Sequence, residues 1–576
     1  MLKKIVRRNK VPDEHLPANL HPILKQVYAS RGVSSDIELT LATQSLAPVE
    51  SMKGLLQACE VLYLALKNQQ QIFIIGDFDA DGATSTALMM EALSLFGSKF
   101  HQFLVPNRFE YGYGLTAEIV DIAAKQGAKL LITVDSGISC HAGVERAKEL
   151  GLQVIVTDHH LAGKNLPPAD AIVNPNQPDC TFVSKSIAGV GVAFYFCLAM
   201  RKFLREKNWF DELAIKEPNI AQLLDLVALG TVADVVSLDA NNRILVEQGL
   251  KRIRAGVTRP GIQALIEVAG KNQQKLVASD FGFALGPRIN AAGRLDNMAF
   301  GINCLLADNL MNARTMAQEL DSLNKTRREI EQGMQQEAET VMKDLNFTEA
   351  SMPHALALFH PEWHQGVIGI VAGRLKEKYH RPTIVFAQSE SGDELKGSAR
   401  SIPGLHIRDL LEHIDSQHPE LIIKFGGHAM AAGLSIDKVN FELFQQAFIE
   451  YAKLWLKPEF LEGTVISDGA LPSQVMTLDF AQMIRDGGPW GQNFPEPLFD
   501  DVFTLVQQRI VGEKHLKIMV EKSGQLYDGI AFNVDVKQWP NAQVKQVHLA
   551  YRLDINEFRN KLSLQLMIEH ISPSFL

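Results

Sequence analysis

Between residues 71 and 175, short β-branched runs alternate with amphipathic stretches, and this alternation constrains the fold more than any other feature of the chain. The runs have the length and composition of buried strands, and the stretches between them favour helix. The predicted elements are residues 71–76, 84–96, 116–126, 129–134, 142–150 and 153–156. Such alternation is typical of a parallel sheet with helices on its faces, so we predict a doubly wound α/β domain.

Three further patterns follow along the chain. Residues 308–345 favour helix without a proline, which predicts one long connecting helix. A second, smaller α/β unit is predicted after it. Its expected strands are residues 355–359, 382–386 and 421–423, its expected helix is 368–378, and its expected glycine-rich turns lie at Gly397 and Gly426–Gly427. Beyond about residue 462, short alternating strands at 504–511, 515–520, 546–555 and 561–568 predict a small β-barrel.

A chain of 576 residues is too long for one hydrophobic core, so we expect several packed units. The expected division is an N-terminal helical segment (1–50), an α/β domain (51–255), a helical connector that includes the long helix (256–345), a smaller α/β domain (346–460) and a β-barrel (461–576).

Composition excludes several classes of protein. The net charge of −9 argues against a protein that coats nucleic acid indiscriminately, so contact with nucleic acid requires local Arg and Lys clusters or metal ions. We expect no secretory signal, because no apolar stretch with a cleavage site follows the basic start, and we predict no membrane span, because every apolar run is too short. Its five cysteines are scattered without a metal-binding or disulfide pattern, which favours a reducing compartment. We expect a cytoplasmic protein.

Each predicted strand of the first domain is followed directly by carboxylates. Asp77, Asp79 and Asp81 follow the first strand, Asp135 follows the second, and Asp158-His159-His160 follows the third. Because carboxyl ends of parallel strands meet at one sheet edge, these side chains are expected to converge. So many carboxylates repel each other unless cations neutralise them, and Asp and His ligands without thiolates favour Mn²⁺ or Mg²⁺. The sequence therefore predicts a metal centre.

Two points within this cluster stay open. The Asp79-x-Asp81 turn suits two neighbouring ions, but an aspartate-rich turn also caps a helix that begins near Thr84. Adjacent histidines in an extended loop diverge, so one of His159 and His160 binds a given ion. We rank His159 as the ligand and expect His160 to contact substrate phosphate or the second ion.

These segments resemble the first three motifs of the DHH phosphoesterase superfamily, and Asp225-Leu-Val-Ala-Leu-Gly-Thr-Val-Ala-Asp234 resembles the fourth. The resemblance implies that two divalent cations, Mn²⁺ or Mg²⁺, are held by the matching side chains. These are Asp79, Asp81, Asp135, His159 and Asp234, with Asp77 as a further member. Asp234 is preferred to Asp225 because it follows a Gly-Thr-Val-Ala turn, as the ligand of the superfamily does.

Further segments resemble the RecJ family of bacterial exonucleases. They are residues 105–114, 286–294, 363–371, 397–401, 425–428, 488–491 and 494–497. This resemblance implies 5′-to-3′ degradation of single-stranded DNA to mononucleotides in recombination and repair. It also implies an accessory DHHA1-like domain, a C-terminal OB-like barrel, and two partners, a single-stranded-DNA-binding protein and a helicase.

Several side chains outside the metal centre are candidates for binding phosphate. Ser398 and Arg400 are expected in a glycine turn, where hydroxyl and guanidinium groups can contact one phosphate. The other candidates are Arg108, Arg288, Arg294 and His428. For each arginine, a solvated surface position is the competing interpretation. Aromatic residues of the barrel (Phe503, Tyr527, Phe532 and Trp539) either stack on bases or fill the core, and none is chosen as a site.

The predicted reaction is in-line hydrolysis of a phosphodiester at a two-metal centre, with Asp135 bridging the ions from the presumed central strand. One alternative is hydrolysis of a small phosphoanhydride or a cyclic dinucleotide. Another is a catalytically silent DNA-binding scaffold, which the complete ligand set disfavours. Cleavage direction and the choice between DNA and RNA do not follow from the residues without the resemblance.

Overall fold

The structure of the protein is a computed structural model. It describes residues 3–106, 114–344, 352–389, 392–558 and 561–574. Contacts divide the chain into two compact units. The catalytic unit comprises Lys10–Asn324 and Gln482–Glu496, and the accessory unit comprises Met1–Asn9, Lys325–Ala481 and Pro497–Leu576.

The catalytic unit contains a five-stranded sheet in which all neighbouring strands are parallel. Its strands, in spatial order, are His101–Leu104, Ile72–Ile75, Leu130–Val134, Gln153–Thr157 and Ala171–Val173. The three strands predicted from sequence form its centre, which confirms the doubly wound domain. Both edge strands were missed because they are only three or four residues long, and the side chains of His101–Leu104 are in addition only partly buried.

Helices surround this sheet and extend the unit. Their bounds are Pro22–Ala29, Ile37–Thr40, Leu55–Lys67, Ala80–Leu95, Ala117–Lys125, His141–Glu149, Gly189–Glu206, Trp209–Glu212, Leu224–Ala233, Ala240–Arg254, Pro260–Val268, Ala278–Asp280, Gly286–Leu295 and Ala299–Leu305. A π-helix covers Phe281–Leu285. Helix Leu224–Ala233 has eight buried residues among its ten, which suits an element enclosed by other helices.

The long helix predicted for residues 308–345 is confirmed at Leu310–Asp344. The helix continues through Gly333 without a break. A Cβ at this position would meet open space, so packing does not require a glycine there. The division between the two units falls inside this helix, after Asn324.

The accessory unit contains a second five-stranded sheet. Its spatial order is Lys424–Gly427, Ala431–Asp437, Glu394–Arg400, Thr383–Gln388 and Leu356–Phe359. Helices Ile368–Tyr379, Ile407–Gln417 and Phe441–Trp455 accompany it. Helix Leu478–Asp486 begins in this unit and ends in the catalytic unit, because the division falls after Ala481. The core is formed by apolar side chains of the sheet and the helices, among them Phe386, Phe444 and Phe448.

Two details of this unit correct the sequence prediction. Residues 421–423 are not a strand but a connection, and the strand starts at Lys424. The apolar run was misleading because Leu421 and Ile422 are buried in the core as part of this connection. Gly397 and Gly426–Gly427 lie in strands rather than in turns. At Gly397, a Cβ would come within 2.5 Å of Phe386 and 2.6 Å of Leu434, so the glycine serves close packing.

The C-terminal part of the accessory unit is a closed five-stranded barrel, as predicted. Its strands are Phe499–Val511, His515–Lys522, Gln525–Ala531, Lys561–Pro573 and Gln546–Phe558. Strand Gln525–Ala531 was not predicted. Among the four barrel aromatics, Phe503, Tyr527 and Trp539 are buried and Phe532 is 50% exposed.

The N-terminal segment begins with a strand, Lys4–Arg7, rather than with the expected helix. This strand pairs in parallel with Thr464–Ser467. In the part of the chain that the structure describes, no helix combines the length and the apolar character needed to cross a membrane.

Candidate metal centre

The side chains that follow the central strands lie close together at the carboxyl edge of the catalytic sheet. We call this cluster the acidic edge. It consists of Asp77, Asp79, Asp81, Asp135, His159 and Asp234. Three of these carboxylates are almost fully buried: Asp77, Asp81 and Asp135 are at most 3% exposed.

Asp79 and Asp81 are positioned by helix Ala80–Leu95. Asp79 is its N-cap, with Oδ1 accepting from Gly82 N at 2.9 Å, so the helix-capping alternative is correct as far as it goes. Asp81 lies in the first turn and reaches the N-terminus of helix Gly189–Glu206. Its Oδ2 accepts from Gly189 N at 2.6 Å and its Oδ1 accepts from Val190 N at 2.9 Å. Capping and membership of the acidic edge are therefore compatible.

Asp135 adopts an unusual backbone conformation directly after the central strand. Its φ of 56° lies in the left-handed region, which non-glycine residues occupy mainly where the surroundings enforce it. A Cβ on Gly189 would lie 2.7 Å from Asp135 Oδ1. Gly189 therefore leaves the space that the Asp135 carboxylate occupies.

His159 points into the cluster. Its Nε2 lies 3.1 Å from Asp135 Oδ1 and 3.5 Å from Asp234 Oδ2. Within the described part of the chain, this buried nitrogen takes part in no hydrogen bond. An imidazole nitrogen aimed between two carboxylates without donating to either is suitably placed for a shared cation.

His160 is instead paired with Asp158. His160 Nδ1 lies 2.7 Å from Asp158 Oδ1, and Asp158 also accepts from the backbone N–H of Ile138 at 2.9 Å and of His159 at 2.7 Å. Burial opposes ionisation of Asp158, but the hydrogen bond and charge of His160 outweigh it and lower the pKa of that carboxyl. Burial also opposes the charged form of His160, which lowers the pKa of its imidazole. Asp158 and the nearby carboxylates outweigh burial and raise this pKa to about 9. The contact with Asp158 thus favours the protonated form of His160.

Asp234 comes from a different element than expected. The sequence placed it after a Gly-Thr-Val-Ala turn, but residues 230–233 belong to helix Leu224–Ala233, and Asp234 is the C-cap of that helix. Gly230 is needed for packing inside the helix, because its Cβ would lie 2.2 Å from Thr84 Oγ1. The helix, rather than a turn, carries Asp234 to the acidic edge.

Among the described residues there are three sets of three side chains, and within each set the ligand atoms all lie within 4.8 Å of one another. They are Asp77–Asp79–Asp135, Asp81–His159–Asp234 and Asp135–His159–His160. Asp135 and His159 each belong to two of the sets. This overlap is what a pair of neighbouring cations requires.

The electrostatics of the acidic edge fit a cation. Burial raises the pKa of Asp81 and of Asp135, and the charges of the neighbouring carboxylates raise both further. Burial and Asp79 also raise the pKa of Asp234, although His159 opposes this. Divalent cations would remove this mutual repulsion, and carboxylate and imidazole donors suit Mn²⁺ and Mg²⁺.

Three of the phosphate-binding candidates lie at one end of the accessory sheet. Ser398 and Arg400 are on strand Glu394–Arg400, and Arg400 pairs across the sheet with Ala431. The exposed His428 is in the hairpin turn before Ala431, with its N–H donating to Ala431 O at 2.8 Å. Arg400 donates to the neutral oxygens Ser398 Oγ and Ala399 O, and burial lowers the pKa of its guanidinium.

The three remaining arginines differ from this group. Arg288 is 9% exposed, donates to Asp321 Oδ1 at 3.0 Å and to Ala284 O at 2.7 Å, and so has the surroundings of a structural ion pair rather than of a phosphate ligand. The expected turn at this arginine is the helix Gly286–Leu295. Arg294 is half-buried on the same helix. Arg108 lies outside the described residues.

Models of three protein families match the chain. The DHH family, N-terminal domain, matches residues 71–231, the DHHA1 domain matches residues 352–454, and the RecJ OB domain matches residues 467–570. The "Single-stranded-DNA-specific exonuclease RecJ" of Escherichia coli is 58% identical over 577 residues, covering 100% of both chains. The chain belongs to the RecJ family.

Two solved RecJ structures from Thermus thermophilus resemble the fold over 100% of this chain. The complex with Mn²⁺ has a TM-score of 0.81 and 29% identity and is covered over 80% of its length. The complex with Mg²⁺ has a TM-score of 0.75 and 27% identity and is covered over 79%. RecJ structures thus hold both of the cations that the donor set of the acidic edge suits.

Several supporting residues of this RecJ family member were missed from the sequence. Asn174 and Asn176 donate to the carbonyls of His160 and His159 at 2.9 and 2.6 Å. Asn290 Oδ1 accepts from Ala80 N at 2.8 Å. The one available signal was their position after a strand or inside a recognised motif. Asp225, set aside in favour of Asp234, is bound by Arg259, with Nη2–Oδ1 at 2.9 Å.

Proposed function

We propose that this chain is a metal-dependent exonuclease that hydrolyses single-stranded DNA from the 5′ end and releases 5′-mononucleotides in recombination and repair. The observation that carries this proposal is the acidic edge, where three overlapping sets of ligand atoms lie within 4.8 Å. Identity of 58% to a single-stranded-DNA-specific exonuclease over the whole chain supports the substrate. The cofactor is a divalent cation, Mn²⁺ or Mg²⁺.

Six side chains are proposed to hold two such cations: Asp77, Asp79, Asp81, Asp135, His159 and Asp234. Asp135 is the bridging candidate because its ligand atoms belong to two sets. When bound, the cations activate water and neutralise charge that develops on the phosphoryl oxygens. Gly189 and Val190 hold Asp81 by two backbone hydrogen bonds, which fixes its carboxylate before any cation binds.

His160 is proposed to act on the substrate rather than as a main ligand. Its Nδ1 is engaged by Asp158, and its pKa of about 9 keeps the ring positively charged at neutral pH. A cationic imidazole beside the acidic edge can bind a non-bridging oxygen of the scissile phosphate and hold a proton at Nε2. Asp158 orients the ring for this task.

Ser398, Arg400 and His428 are proposed to bind a backbone or terminal phosphate. Arg400 supports this role because its hydrogen bonds go to neutral oxygens and burial disfavours its charge, so a phosphate would stabilise it. Arg294 and Arg108 are retained as further phosphate contacts. The five-domain division given above, a cytoplasmic location, and partnership with a single-stranded-DNA-binding protein and a helicase are also proposals.

The test is product analysis on a 5′-labelled oligonucleotide and its 3′-labelled twin, in Mn²⁺ and in EDTA. Release of labelled mononucleotide first from the 5′-labelled strand, only with the cation, is the expected result. Early release from the 3′ label would refute the direction. Faster turnover of pyrophosphate than of the oligonucleotide would instead favour a phosphatase acting on small substrates. A blunt duplex should be degraded far more slowly than the single strand.

A further inference from the structure

One recognised segment has no place in the metal centre described above. It contains the Gly-Pro-Trp-Gly motif at residues 488–491 and the Phe-Pro-Glu-Pro motif at residues 494–497. By its contacts, Gln482–Glu496 belongs to the catalytic unit, although the chain on both sides belongs to the accessory unit. We call it the returning segment. A stretch that leaves its sequence neighbours in this way needs a structural reason.

The returning segment contacts the loop that follows Asp234. This loop, residues 235–238, joins Asp234 to the N-cap of helix Ala240–Arg254. Leu238 N donates to Gln492 O at 2.9 Å, and Asn493 Nδ2 donates to Ser237 Oγ at 2.6 Å. The segment therefore binds both the backbone and a side chain of the Asp234 loop.

Internal packing makes the returning segment a firm support. Trp490 and Phe494 stack with ring centroids 5.2 Å apart, and the Arg243 guanidinium lies 4.3 Å from the Phe494 ring centroid. Gly491 and Phe494 exchange two backbone hydrogen bonds of 2.9 and 3.1 Å. Tyr28 stacks on Trp490 and donates to Gly487 O at 2.9 Å. The turn that presents Gln492 and Asn493 is thus held on several sides.

The Asp234 loop has a physical need for such support. Val235 has a φ of 63° and is 61% exposed. A β-branched residue in the left-handed region is strained, and such strain persists only where the surroundings fix the backbone. Because Val235 is exposed, its own side chain does little to fix it. Val235 N donates to Val232 O at 3.2 Å on the upstream side. Downstream, Asn242 Nδ2 donates to Ser237 O at 2.8 Å, so on that side the loop is held by Asn242 and the returning segment.

We propose that Gln492 and Asn493 are positioning residues for the metal ligand Asp234. By holding the loop downstream of the strained Val235, they keep the Asp234 carboxylate in the set with Asp81 and His159. This inference rests on the proposed role of Asp234 as a ligand. It predicts a selective effect, since the set Asp77–Asp79–Asp135 contains no residue of the loop.

The experiment is a Mn²⁺ titration of the full chain, with free Mn²⁺ followed by electron paramagnetic resonance. Asn493→Gly removes the side-chain amide without straining the backbone, because Asn493 has a φ of 57°, which glycine adopts readily. We expect one of the two Mn²⁺ ions to bind about tenfold more weakly and the other to be unchanged. Ser237→Ala should have the same effect, and the double variant should be no worse than either single variant.

Two further variants make the result decisive. Val235→Gly removes the strain, so Asn493→Gly placed in that background should weaken Mn²⁺ by less than about twofold. Asn208→Gly is the matched control, since Asn208 is exposed, has a φ of 56° like that of Asn493, and makes no side-chain capping bond to helix Trp209–Glu212. It should leave both affinities unchanged.

The failures can be told apart with Asp234→Asn. Loss of one Mn²⁺ in Asp234→Asn together with parental affinities in Asn493→Gly and Ser237→Ala would overturn the positioning role and leave the ligand role standing. Two parental affinities in Asp234→Asn would overturn the ligand role itself. An equal loss at both cations in Asn493→Gly would contradict the selectivity and show a general disturbance of the unit.

Discussion

The acidic edge and Asp500 of the barrel both bury carboxylates, yet their surroundings change the carboxyl pKa in opposite directions. At the acidic edge, burial and neighbouring carboxylates raise the pKa of Asp81 and Asp135. For Asp500, burial raises the pKa, but Arg7, Ser467 and His548 outweigh it, so the net pKa is lowered. At Asp500 the protein itself supplies the positive counter-charge. At the acidic edge a bound cation has to supply it.

Asp225 gives the same contrast inside the catalytic unit. Its carboxylate is almost fully buried, like that of Asp135, but Arg259 binds both of its oxygens, at 2.9 and 3.1 Å. Burial lowers the pKa of Arg259, but Asp225 and Glu91 raise it more. A buried acid with a guanidinium partner is therefore neutralised within the fold, while buried acids surrounded by acids indicate a bound cation.

The largest effect is expected from Asp135→Asn. Removing the candidate bridging charge should lower hydrolysis of single-stranded DNA by about a thousandfold or more. In EDTA the same variant should have a higher Tm than the parent, because the repulsion that raises the pKa of Asp135 is gone. Asp121→Asn, in which a surface acid paired with Arg146 is changed, is the control for both measurements. Activity within tenfold of the parent would break the comparison.

Whereas Asp135→Asn should raise the Tm in EDTA, Arg259→Met should lower stability. This change leaves Asp225 buried without its cation, so the free energy of unfolding of the catalytic unit should fall by about 3–5 kcal/mol. Urea unfolding followed by circular dichroism measures it. The double variant Arg259→Met/Asp225→Leu should recover part of the loss, because both charges are then removed. Unchanged stability in Arg259→Met would show that the pair is not structural.

Arg400→Ala examines a half-buried cation that lacks a carboxylate partner among the described ion pairs. Its guanidinium should contact a terminal phosphate, so the variant should bind a 5′-phosphorylated strand about tenfold or more weakly, as a charge-assisted bond of about 1.5–3 kcal/mol implies. A 5′-hydroxyl strand should be affected less. Titration of both strands in the same salt decides, and an equal loss on both would make Arg400 a general backbone contact.

The smallest effect concerns the acid stability of the barrel. The folded-state pKa of Asp500 is lowered, so its contribution is present above the unfolded value of about 3.9 and is lost as pH falls through the folded pKa. Since the Arg7 side chain is 56% exposed, we expect only about 1 kcal/mol. Asp500→Asn should lower Tm at pH 5, and its difference from the parent should shrink as the pH falls below the unfolded value. A difference that stays constant with pH would contradict this account.

Much of the acidic edge was predictable from sequence because parallel strands bring their carboxyl ends together. Asp77, Asp79, Asp81, Asp135 and His159 all follow central strands that were recognised. Asp234 is different, since it ends a helix and no strand pattern leads to it. It was found through the resemblance to a known motif, and its expected turn was wrong.

The remaining errors have a common physical cause. Asn174, Asn290 and Gln492 support the ligand segments through tertiary hydrogen bonds, and periodic patterns in the sequence carry no information about such bonds. Gly397 was interpreted as a turn because glycine favours turns, but in the structure Phe386 and Leu434 leave no room for a Cβ. Tertiary contacts decided these positions, and the sequence shows such contacts only through motifs.

The acidic edge is expected to hold the cations on which the hydrolysis of DNA depends. Anomalous diffraction at the manganese edge, from crystals of the full chain soaked in Mn²⁺, tests it most directly. We expect two peaks with ligand atoms within about 2.6 Å, one among Asp77, Asp79 and Asp135 and one among Asp81, His159 and Asp234, with the Asp135 carboxylate in contact with both. Peaks confined to other residues, or an acidic edge neutralised by an arginine or lysine side chain with no peak, would contradict the account.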